Sequence, residues 1–128
     1  MSTLRIRSFG DVIRRVEGNW PGYLPEFRVF LGVVLLASLA DLGSTICVMQ
    51  RAGPEAEIHP VIRCMSEELG PVLGPTCGKA WQFLGLVMLT LFFRRGARLI
   101  FIPVAISYMG AAWYNLWANG LLVPMILR

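Results

Sequence analysis

From Val29 to Met49 the chain reads VFLGVVLLASLADLGSTICVM, a run of apolar and small residues with one ionisable group, Asp41, near its middle. As a helix rising about 1.5 Å per residue, such a run reaches across a ~30 Å hydrocarbon layer. No other feature restricts the fold so strongly, because a run this apolar has to be covered on nearly every side by protein or by lipid. A second run, between Gly78 and Arg94, also holds a single charge, Lys79. A charge at bilayer depth costs about 2.5–3.5 kcal/mol or more unless it is paired or wet, so both residues are candidates for a site or for each other. If Arg28 and Arg94 mark the same membrane face, Asp41 and Lys79 lie roughly 20 and 22 Å from it by helix rise. Opposite charges at one depth can meet across antiparallel helices.

Composition agrees with a membrane reading. Of 128 residues, 55% are hydrophobic and 16% charged, against about 25% charged in an ordinary soluble domain. One domain, residues 1–128, is expected. The formal net charge is +4, from eleven arginines, one lysine and eight acids. The arginines cluster outside the apolar runs, which suits orientation and lipid headgroups rather than nucleic acid.

The pattern predicts an all-α membrane protein with three transmembrane helices, over 29–50, 73–94 and 99–122. An arm, 1–28, precedes them, and a loop, 51–72, joins the first two. Arg5, Arg7, Arg14, Arg15 and Arg28 in the arm, with Arg94, Arg95 and Arg98 in the short link, put both on the cytoplasmic side of a bacterial inner membrane. The loop, with Glu55, Glu57, Glu67 and Glu68 against Arg51 and Arg63, then faces outward with the C-terminus. The first 25 residues lack an apolar core, so no cleavable signal peptide is expected. Residues 3–17 have the 3–4 spacing of an amphipathic surface helix in Phe9, Val12, Ile13 and Val16, with Trp20 and Tyr23 at headgroup level; an unordered arm is the alternative. Pro60 is placed to open a short helix over 61–69, on the surface or partly re-entrant. Gly70-Pro71 and Gly74-Pro75 interrupt the chain after it.

Ser38, Asp41 and Thr45 share a face of the first long helix, broadened by Ser44. Tyr114 and Asn115 lie about 24–26 Å from the arginine face on the third. An outer-half cluster of Asp41, Ser44, Thr45, Lys79, Tyr114 and Asn115 is therefore expected, with Glu57, His59 and Pro60 able to fold onto it. Gln82, Ser107, Tyr108 and Thr90 fall deeper. Such a cluster can be interhelical glue, a site for an ion, proton or small molecule, or a contact for another subunit.

Asp41-x-x-x-Thr45, Gly53-x-x-x-Glu57-x-His59-Pro60, Lys79 in the next helix and Tyr114-Asn115 in the last resemble a family of small, functionally uncharacterised prokaryotic membrane proteins. That family carries Asp-x3-Thr, Glu-x-Asn-Pro and a buried lysine. The likeness spans roughly residues 30–118. It implies that Asp41, Thr45, Glu57, Pro60 and Lys79 are signature positions, and it carries no activity with it. This chain has His59 where the family pattern has asparagine.

Cys47, Cys64 and Cys77 are read as reduced, buried thiols, although Cys64 and Cys77 could pair in an oxidising compartment. The spacing of Glu57, His59, Cys64 and Cys77 fits no metal pattern, and no metal or other cofactor is expected beyond bound lipid or contact with a neighbouring subunit's cofactor. Phe92, Phe93, Trp113 and Trp117 are candidate contacts for such a partner or pigment. No catalytic motif is recognised. The expected function is a non-catalytic accessory subunit of a larger respiratory or photosynthetic membrane complex, its partners lipids and other integral subunits. The second reading is a homo-oligomeric ion, proton or small-molecule site on Asp41 and Lys79. An intramembrane enzyme using Glu57 or Asp41 as base comes last.

Overall fold

Residues 8–120 are described in the computed structural model, and among them every regular element is helical. Helix α1 (Phe9–Asn19) opens at Ser8, whose backbone N–H donates to Asp11 Oδ2 at 3.0 Å, occupying one of the donors a helix start leaves open. The expected 3–17 helix thus begins at Phe9, and its first residues lie outside the described region. The helix docks as well as lying at the surface: Arg15 Nε donates to Phe92 O at 3.1 Å and Asn19 Nδ2 to Leu91 O at 2.7 Å.

Helix α2 (Tyr23–Ala52) starts six residues before the expected position 29. Gly22, at φ 76°, makes the left-handed turn that separates it from α1. The early start brings Tyr23 into the helix. Tyr23 is fully buried within the bundle, and its hydroxyl shares a 2.5 Å hydrogen bond with Thr90 Oγ1. Tyr23, Phe27 and Val34 recur at helical spacing and join Leu86, Leu91, Ala97 and Phe101 in the apolar core. Phe27 and Phe30 pack on Phe101 with centroids 5.7 and 5.9 Å away, separations typical of favourable aromatic pairs.

After a 3₁₀ turn at Pro54–Ala56 comes α3 (Pro60–Phe92), which is two helical arms rather than one rod. Gly70 sits between them at φ 87°, ψ 170°, a conformation open to glycine and costly for other residues. A Cβ at Gly74 would lie 2.6 Å from Ser66 N, and one at Gly78 would lie 3.1 Å from Ile62 Cγ1. Ser66 with Gly74 and Ile62 with Gly78 are symmetric about Gly70. The arms, 60–69 and 71–92, therefore run antiparallel as a tight hairpin. The expected short helix is present, and it is folded back along the next one.

The long arm runs antiparallel to α2, since Tyr23 meets Thr90 and Asp41 meets Lys79. A 3₁₀ turn at Arg94–Gly96 leads to α4 (Ala97–Ala118), which runs parallel to α2: Phe101 meets Phe27, and Asn115 meets Ser44. The predicted end at 122 falls short at Ala118, where Asn119 Nδ2 returns to Asn115 O; residues 121–122 lie outside the described region. Arg94 ties this end together, donating to Glu26 Oε2 at 2.7 and 3.0 Å, to Asn19 O at 2.7 Å and to Pro21 O at 2.8 Å.

Two helices, Tyr23–Ala52 and Arg94–Ala118, are long and apolar enough to cross a membrane. The long arm of α3 is less apolar because it spends Pro71, Gly74, Pro75, Gly78, Lys79 and Gln82 on the hairpin and on the site described next.

Candidate functional site: a polar cavity beneath the hairpin

The hairpin decides what reaches the buried charges. With Gly70 at its apex, the start of the short arm stands beside the start of the deeper half of the long arm. Pro60 and the preceding turn are brought to the level of Lys79. Glu57 Oε1 accepts the His59 backbone N–H at 2.8 Å and shapes that turn. Pro60 then occupies the first helical position, where its missing N–H is no loss.

Lys79 Nζ donates to Asp41 Oδ2, and the two side chains are 9% and 6% exposed. The ammonium also lies 4.4 Å from the centroid of the Tyr108 ring, a cation–π contact. Tyr108 donates in turn to Gln82 Oε1 at 3.3 Å. Asn115 Nδ2 reaches Ser44 Oγ at 3.1 Å and Thr45 Oγ1 at 3.2 Å, and Ser44 Oγ donates to Asp41 O at 2.9 Å. Three helices are linked by polar contacts at one level, as buried polar groups demand.

These groups border a cavity of about 530 Å³. Its walls bring together Asp41 and Thr45 from α2, Glu57, His59 and Pro60 from the turn, Lys79 and Gln82 from α3, and Tyr108, Tyr114 and Asn115 from α4. That volume lies within the range of small-molecule sites, and the mix of apolar wall with a few convergent polar groups is what such sites have. Ser44 stands behind the wall, through Asn115.

Gln82, Ser107 and Tyr108 were expected deeper than the cluster, yet all three line the cavity. The cavity extends below the Asp41 level, so a single-depth calculation truncates it. Spacing held the missing signal: Gln82 is three residues from Lys79, and Tyr108, Ala111 and Asn115 share one face of α4.

The aromatic candidates separate. Phe92 lies under Arg15, whose guanidinium carbon is 4.7 Å from the ring centroid, and it pairs edge-on with Phe93 at 4.7 Å. Phe92 is thus a docking point for α1 within the chain, and it is half-buried. Phe93 is half exposed at the same end. Trp113 and Trp117 stand at the opposite end of the bundle, 65% and 66% exposed. The four do not form one face.

Cys47, Cys64 and Cys77 are unbonded and exposed, which corrects the expectation that they are buried. Among the described residues no group of three His, Cys, Asp or Glu side chains is placed to hold a metal ion. No family model, no curated protein and no solved structure matches this chain.

Proposed function

We propose that this chain is a small integral membrane protein that binds a cation or a small cation-bearing molecule in the cavity beneath the hairpin. One observation carries the reading: the Glu57–Pro60 turn is folded back against the Asp41–Lys79 pair and leaves space between them. A pair acting only as glue needs two helices and close packing. It needs neither a third polar segment nor an open volume. The cavity wall holds two carboxylates, Asp41 and Glu57, against one lysine, and the Tyr108 and Tyr114 side chains also line it.

In this reading the long arm of α3 is a third span between α2 and α4, and the short arm is re-entrant. Backbone leaving a helix at membrane depth is tolerated where it lines a wet cavity. Arg94, Arg95 and Arg98 with the arginines of the arm set the cytoplasmic side in a bacterial inner membrane, and the hairpin faces outward.

The accessory-subunit reading rests on a separate observation. Trp113 and Trp117 stack at four-residue spacing on α4 and remain largely exposed. Trp117 is near the outer end and suits a belt position, and Trp113, one turn deeper on the same face, suits another integral subunit better.

The test is the unfolding midpoint of the detergent-purified chain across sodium, potassium, ammonium, ethanolamine and choline salts at equal ionic strength. A probe present at 100 times its Kd stabilises the folded state by about 2.7 kcal/mol. At least one probe is expected to raise the midpoint in the wild type and to lose that effect in Glu57→Gln. If none does, the proposal fails.

A further inference from the structure

The end of the bundle opposite the hairpin holds a second cavity, of about 410 Å³, lined by Asn19, Glu26, Phe27, Arg94, Arg95 and Arg98. Its charge is unbalanced. Glu26 is the one carboxylate in the wall, and Arg94 uses it through two hydrogen bonds to Oε2. Two further Arg94 donors go to the carbonyls of Asn19 and Pro21. Arg95 and Arg98 have no carboxylate partner among the described residues, and Arg98 stands 6.0 Å from the Phe30 ring centroid. Two guanidinium groups line this space, and among the described residues neither has an ion-pair partner.

What lies next to this cavity separates its possible occupants. Ile102 and Ile106 follow Arg98 at i+4 and i+8 on α4, and Leu99 joins this stripe at i−3 from Ile102; the three are 50%, 67% and 79% exposed. The stripe runs from the arginines toward the middle of the bundle. A free phosphate would use the guanidinium groups and leave the stripe bare. A lipid would use both, with its phosphate held by the fork of one or two arginines and an acyl chain along the stripe.

We infer that this cavity is a binding site for the phosphate headgroup of an anionic phospholipid of the cytoplasmic leaflet, held by Arg95 and Arg98. Arg94 and Glu26 build the wall, and Arg94 is a positioning residue that fixes α1 and the start of α2. The inference uses the membrane orientation given above, and it is independent of what fills the cavity under the hairpin.

The experiment measures binding of dihexanoyl phosphatidylglycerol and dihexanoyl phosphatidylcholine to the full chain in a neutral detergent, by native mass spectrometry. The two lipids share acyl chains and differ in net charge. With each nearby arginine contributing about 1 kcal/mol, the anionic lipid is expected to bind roughly 30-fold tighter. Arg95→Gln/Arg98→Gln removes most of that preference. Arg95→Lys/Arg98→Lys retains charge and keeps a substantial part of it. Arg51→Gln/Arg63→Gln, at the other end, leaves it intact. Equal affinity of the two lipids for the wild type overturns the inference without any variant. So does a preference that survives in the double glutamine variant, or one that Arg51→Gln/Arg63→Gln abolishes equally. Glycerol 1-phosphate binding as tightly as the lipid would assign the cavity to a soluble phosphate and refute the lipid. Alkaline carbonate extraction of native membranes separates the two failures: a chain that is extracted refutes membrane insertion itself, whereas an inserted chain without lipid preference refutes only this site.

Discussion

Replacing Lys79 by methionine leaves the Asp41 carboxylate, 6% exposed, with its ammonium partner gone. Breaking a buried pair from one side costs about 3–5 kcal/mol, because the remaining charge stays desolvated and unanswered. The cavity at this pair admits water, which places Lys79→Met near the low end, about 3 kcal/mol. Asp41→Asn is expected to be milder. The stranded ammonium keeps the Tyr108 ring at 4.4 Å, and a desolvated cation–π contact returns about 2 kcal/mol. The double variant, Asp41→Asn/Lys79→Met, removes both charges and should cost no more than the milder single. The coupling between the sites is then about 3 kcal/mol, at the upper end for residues in direct contact. The assay is reversible unfolding of the four proteins in mixed micelles by SDS titration, with helix content from circular dichroism. Additive losses in the double variant would refute a buried pair. Equal losses in the two singles would refute the part assigned to Tyr108.

The hairpin, the docking face and the buried hydroxyl pair give three more tests. Gly74→Val puts a branched side chain where a Cβ alone would sit 2.6 Å from Ser66 N, so the arms must part; a loss of about 1–3 kcal/mol is expected, together with loss of any cation-induced stabilisation, and unchanged unfolding would disprove the close approach. Trp113→Leu/Trp117→Leu should insert normally and leave the unfolding midpoint near wild type while reducing recovery of co-purifying membrane subunits; the same partners in the same ratio would exclude this face as a docking surface. Tyr23→Phe removes the hydroxyl that faces Thr90 and should destabilise by about 1 kcal/mol. No change on that substitution would mean Thr90 is satisfied by the Leu86 carbonyl it already meets at 2.8 Å.

The residues that carried most information in the sequence were those whose chemistry conflicts with their surroundings. Asp41 and Lys79 stand out because a charge in an apolar run requires an explanation, and helix rise alone puts them at one depth. The turn at Pro60 and the break at Gly70-Pro71 were legible for a similar reason, since proline and glycine restrict the backbone locally. That Tyr23 is buried against Thr90 was not legible, because an aromatic between two prolines reads equally well as a surface residue. The left-handed turn at Gly22 is what adds it to α2 and turns it inward. The contact of Phe92 with α1 was not legible, because an aromatic at a helix end shows nothing of what covers it, and Arg15 is 77 residues away in sequence.

The sequence by itself determined the helical class, the apolar runs within 29–50 and 99–122 that fall inside the two long apolar helices, and the identity of the charged residues that needed partners. Those follow from local terms: apolar length, 3.6-residue periodicity and the cost of an isolated charge. The tertiary structure decided that the arms of α3 fold back on each other, and with it that Glu57, His59 and Gln82 share a cavity with Asp41 and Lys79. That outcome depends on how closely Gly74 and Gly78 let two backbones approach. The sequence shows that close approach is possible there, but which segment occupies the space is set by packing across the whole bundle.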